Sequence, residues 1–149
     1  YYGKGAHASV RKVIRLGVGT GLVLSVLVIL LIFMFAGPIT AVFNNEGNAE
    51  LAAYAVTGLR LYFTGFLFAG FNIIGTGMLS ATESARWAFL ASVSRGFVAI
   101  MICAFVLSWL FGMNGVWLAF PAAELITAVL VGAAFAGTFG VKGNKILYK

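Results

Sequence analysis

The chain has 149 residues, of which 62% are hydrophobic and only 9% charged, and its mean hydropathy is +1.03. A soluble domain carries roughly 25% charged residues to keep its surface wet, so this composition excludes one and points to a membrane protein. The net charge of +6 and pI near 9.8 do not signal nucleic acid. Lys and Arg cluster at the ends of apolar runs, and the aromatics lie inside those runs rather than between basic residues. Cys103 and His7 are the sole cysteine and histidine, so neither a disulfide framework nor a Cys/His metal site can be assembled. The sequence opens at Tyr1 without a Met or a secretory leader, which raises the expectation of a longer polypeptide.

In chain order, residues 1–15 form a basic segment with Lys4, Arg11, Lys12 and Arg15. A bilayer core of about 30 Å needs roughly 20 apolar residues in a helix. Residues 16–36 supply the first span, uncharged and predicted to stop at Gly37-Pro38. Residues 37–60 read as an outer loop with an interfacial helix. Asn44, Asn45 and Gly47 make the turn; Asn48 and Glu50 start the helix, which runs into the second span, 61–81. After the polar stretch 82–84 comes a third span, 87–111, containing Arg95. Gly112-Met113-Asn114 is a tight hairpin into the fourth span, 115–139, containing Glu124, and 140–149 is a tail.

The basic residues set the orientation. Lys4, Arg11, Lys12, Arg15, Arg86, Lys142, Lys145 and Lys149 fall on one side; the other holds Glu46 and Glu50, with Arg60 its lone basic residue. Both ends are therefore expected in the cytoplasm, with the chain in the plasma (inner) membrane.

Polar residues inside the spans are the functional candidates. Asn72, Thr76 and Ser80 are four apart and share one face of span two. They either line a transport cavity or bond between helices. Glu124 follows Pro121, which frees a backbone carbonyl one turn earlier, and an intramembrane acid is a functional candidate by default. Arg95 has three readings. Its guanidinium snorkels back toward the loop 82–86, faces a water-filled cavity, or pairs with Glu124. The first is favoured, since aligned spans of 25 residues leave Arg95 and Glu124 roughly 12 Å apart along the membrane normal. Gly17, Gly21 and Ser25, and likewise Gly132, Ala136 and Gly140, form smooth faces suited to close helix packing. There is no nucleophile–base pair, P-loop or phosphate cradle, so no enzymatic activity and no cofactor are expected.

Three stretches resemble the multidrug and toxic compound extrusion (MATE) family. "YYGKGAHASVRKVIRLG" is similar to the cytoplasmic segment after the second helix of that family's C-terminal half. "GLRLYFTGFLFAGFNIIGTGMLSATESARWAFLASVSRG" resembles its tenth helix, the following loop and the start of the eleventh, with an Arg at the position of Arg95. "NGVWLAFPAAELITAVL" resembles the twelfth helix. The resemblance implies an all-α membrane protein in which these four transmembrane helices are the last four of a twelve-helix transporter made of two six-helix bundles. It also implies antiport, an inward Na⁺ or H⁺ driving an amphipathic or cationic small molecule outward. The implied partners are that substrate, membrane lipid and the N-terminal helices of the same polypeptide. The implied cavity residues are Asn72, Thr76, Arg95 and Glu124. Some branches carry an acid in the tenth helix where this chain reads "FLFAGFN", which leaves cation coupling to residues outside the chain. Two other functions fit four spans: a lipid-linked oligosaccharide flippase of the same fold group, and a small four-helix scaffold.

Overall fold

A computed structural model describes residues 7–82 and 84–139. The segments 1–6 and 140–149 and residue Glu83 lie outside the described residues, and with them part of the basic arm and tail. Among the described residues there are six α-helices, α1 His7–Phe43, α2 Ala49–Phe63, α3 Phe66–Ala81, α4 Ala85–Val93, α5 Ala99–Phe111 and α6 Met113–Phe139. A π-helical turn, Ser94–Val98, joins α4 to α5. They make four runs long and apolar enough to cross a membrane: Ala8–Phe43, Ala49–Ala81, Ala85–Phe111 and Met113–Gly137.

Helix α1 does not stop at Gly37-Pro38 as its sequence suggests. Pro38 lacks the N–H that would reach the Met34 carbonyl, so one intrahelical bond is missing, but its fixed φ is helical and neighbouring carbonyls carry additional donors. Thr40 Oγ1 donates to the carbonyls of Ala36 (2.9 Å) and Gly37 (3.0 Å), and Arg60 Nη2 donates to that of Phe33 (3.2 Å). The helix runs on through Pro38 to Phe43.

The turn 44–48 is tied by side chains. Asn44 Nδ2 donates to the Asn48 carbonyl at 2.9 Å, and Gly47 takes a φ of 64°, which its missing Cβ permits. Asn48 caps α2 by accepting from the Leu51 amide at 3.1 Å, and Glu50 in the first turn complements the helix dipole. The run from Ala49 to Ala81 breaks once, at Thr64 and Gly65, where α6 crosses it. A Cβ at Gly65 would overlap the Phe120 ring, so glycine brings the two helices together there.

Helix α6 is central and packs on α2, α3, α4 and α5, while α1 packs on α2 and α3. Small residues make these seams. Ala99 and Cys103 of α5 meet Ala119 and Ala123 of α6, and Leu79, Ala88 and Ala134 join α3, α4 and α6. Without a hydrophobic driving force in lipid, close backbone approach of this kind holds helices together. On α1, Gly21 faces Gly70, and a Cβ on Gly70 would meet Ser25 Oγ, so this small-residue face is packed. On the second face, a Cβ on Gly132 would meet nothing within 4 Å, and Gly140 lies outside the described residues. The outward sides carry exposed Leu, Val, Phe and Met along α1 and α5, as lipid or further helices require.

Candidate functional site

The α3–α6 crossing is where two intramembrane polar residues meet. Ala69, Asn72, Gly75 and Leu79 form the buried face of α3, three or four residues apart. Asn72 is fully buried and Glu124 only 3% exposed. Asn72 Nδ2 donates to Glu124 Oε2 at 2.7 Å and to the Glu124 backbone carbonyl at 2.7 Å. One amide thus holds both the carboxylate and the backbone of the facing helix. Asn72 Oδ1 is buried and accepts no hydrogen bond among the described residues.

Arg95 reaches the same carboxylate from another side, with Nε 3.6 Å from Glu124 Oε1. This overturns the favoured expectation that the guanidinium turns back toward the loop 82–86. The reason lies in the hairpin. Gly112, at φ 58°, ends α5, and α6 starts at Met113 rather than two residues later. Gly115 then lies so close to the Leu107 carbonyl that a Cβ would overlap it. Counted from this tighter turn, Arg95 stands about 24 Å back from Phe111, through α5 and into the π turn before it, and Glu124 about 17 Å down α6 from Met113, leaving about 7 Å for two side chains to cover. Arg95 also sits in the π turn Ser94–Val98, a local widening of the kind that recurs at functional sites.

The other sequence candidates behave differently. Thr76 Oγ1 donates to the Asn72 carbonyl at 2.7 Å, within its own helix, and does not reach Glu124. Ser80 is exposed. Thr127, fully buried one turn beyond Glu124, was not singled out by sequence; its Oγ1 donates to the Ala123 carbonyl at 2.9 Å. Its three-residue spacing from Glu124, on the same face, was the available signal. Ser25 enters the site as well, through the small-residue face of α1.

Beside this cluster, α1 and α3 enclose a cleft of about 400 Å³. Leu24, Val28, Phe66, Ile73 and Phe120 are among its apolar walls, and its polar residues are Ser25, Arg95 and Glu124. Within this chain the Arg95 side chain is 35% exposed and that of Glu124 4%, so the carboxylate is the more sheltered of the two. The arrangement suits an apolar body carrying one charged group. A second cleft, about 660 Å³, lies where the end of α1 meets α2 and the start of α6. Its lining, including Phe43, Leu51, Tyr54, Tyr62 and Trp117, contains no charged residue.

A family model described as MatE matches residues 1–110. A multidrug export protein MepA of Staphylococcus saprophyticus is 28% identical over 122 residues, 82% of this chain and 26% of that protein. The MepA of Staphylococcus aureus is 28% identical over 127 residues, 85% of this chain and 27% of the relative. That of Staphylococcus haemolyticus is 34% identical over 83 residues, 56% of this chain and 18% of the relative. The chain spans about a quarter or less of the length of these curated relatives. No solved structure matches.

Proposed function

The chain belongs to the MatE family, and we propose that it forms the carboxy-terminal membrane part of a secondary active multidrug efflux transporter. The full assembly is two six-helix bundles, and these four spans contribute to the second. An inward Na⁺ or H⁺ drives export of amphipathic or cationic compounds from the cytoplasm. The clustering of basic residues supports a plasma-membrane protein with both chain ends in the cytoplasm. Three relatives carrying the name multidrug export protein support the substrate class.

The observation that carries this reading is the cleft: apolar walls around one sheltered carboxylate, Glu124, held in place by Asn72. A buried carboxylate attracts a lipophilic cation strongly because little water competes for it. Arg95, at the cleft's exposed rim, faces the same group.

The test is transport of ethidium by the polypeptide that carries this chain, reconstituted in liposomes under an imposed Na⁺ or H⁺ gradient. Gradient-dependent ethidium movement that is lost in Glu124→Gln is the expected result. Movement indifferent to both gradients, or to Glu124→Gln, would overturn the reading.

A further inference from the structure

The contact between Arg95 and Glu124 is an ion pair but not a hydrogen bond. Its 3.6 Å separation exceeds the 2.7–3.2 Å range of N–H···O bonds. Oε2 takes its hydrogen bond from Asn72, whereas Oε1 accepts none among the described residues. The guanidinium is thus attracted electrostatically but weakly locked, on a side chain that is 35% exposed and mounted on a π turn. A carboxylate sheltered to 4% cannot be left without a countercharge at low cost, so whatever removes Arg95 must bring a positive charge of its own. The cleft that both residues line has room and apolar walls for the body such a charge would ride on.

We propose that Arg95 is a tethered cation that occupies Glu124 Oε1 in the unloaded protein and is exchanged there for the cationic group of a lipophilic ligand. The inference rests on the efflux reading and specifies its substrate selection at this site. Neutral amphiphiles cannot open the pair, because they would strand the carboxylate. Small inorganic cations cannot open it either, because they bring no apolar body to fill the cleft and so gain nothing over Arg95. Arg95 is therefore the residue that reserves the site for organic cations. Without it, Glu124 Oε1 is a sheltered carboxylate oxygen with no countercharge, open to Na⁺.

The experiment measures binding of tetraphenylphosphonium, with neutral triphenylphosphine oxide as control, to the whole polypeptide in nanodiscs. Wild type should bind the cation and not the oxide, and replacing N-methylglucamine by Na⁺ should leave the affinity unchanged. Arg95→Gln should bind the cation about tenfold tighter, equivalent to 1.4 kcal/mol, and Na⁺ should now compete. Arg95→Gln/Glu124→Gln should lose both effects. Unchanged or weaker binding by folded Arg95→Gln overturns the proposal. Should Arg95→Gln not fold, phenylglyoxal modification of Arg95 in wild type decides. The cation should speed it by freeing the guanidinium, and an unchanged or slower rate contradicts exchange. If no form binds the phosphonium, the efflux reading fails, and Na⁺-dependent melting then judges Arg95 alone. A Na⁺ stabilisation present in Arg95→Gln and absent in the double variant supports the tether, and its absence overturns it.

Discussion

Asn72 of α3 donates through one nitrogen to both the carboxylate and the backbone carbonyl of Glu124 on α6, each at 2.7 Å. A single side chain therefore ties both the side chain and the backbone of the facing helix at this height. Removing it in Asn72→Ala leaves a buried carboxylate short of a donor, at a cost of about 1–3 kcal/mol. Asn72→Asp is isosteric but sets two carboxylates against each other and should cost more than Asn72→Ala. Thermal melting in detergent checks the order; an Asp variant as stable as the Ala variant contradicts it.

Glycines at helix crossings and glycines facing open space should respond oppositely to the same change. A Cβ at Gly58 would overlap the Trp117 ring, whereas one at Gly77 meets nothing within 4 Å. Gly58→Ala should destabilise by about 1–3 kcal/mol through overpacking. Gly77→Ala should be neutral or stabilising by up to about 1 kcal/mol, because alanine loses less conformational freedom in a helix. Melting temperatures that move the same way for both would contradict the packing described.

The four runs also predict a pattern of accessibility. A cysteine placed at Asn45 should react with an impermeant thiol reagent added outside cells, and one at Ala85 only after permeabilisation. Labelling of both from the same side would contradict the four-span topology and the charge argument behind it.

Much of this was legible in the sequence because lipid penalises polar atoms. Asn72, Arg95 and Glu124 stood out as the residues that an apolar span must account for, and the structure brings all three together. Their convergence was harder to see. It depends on α6 starting at Met113, on Gly115 closing the hairpin, and on a π turn at Ser94–Val98 that hydropathy does not encode. Pro38 misled for a related reason. Its effect is local, the loss of one intrahelical bond, and side chains of Thr40 and of Arg60, distant in sequence, bond the carbonyls of the same stretch. The face of Gly17, Gly21 and Ser25 was readable as packing, yet the same spacing at Gly132 faces open space. Small-residue spacing shows where helices can approach, not which helix does.

The most direct test is a double-mutant cycle on Arg95 and Glu124, using melting free energies of wild type, Arg95→Gln, Glu124→Gln and the double variant. Residues in contact couple by 0.5–3 kcal/mol, whereas independent sites add to within about 0.3–0.5 kcal/mol. With one partner rim-exposed, the coupling should lie near the lower part of that range, about 1 kcal/mol. Additive effects would mean that Arg95 points elsewhere, and the cleft with its exchangeable ion pair would lose its foundation.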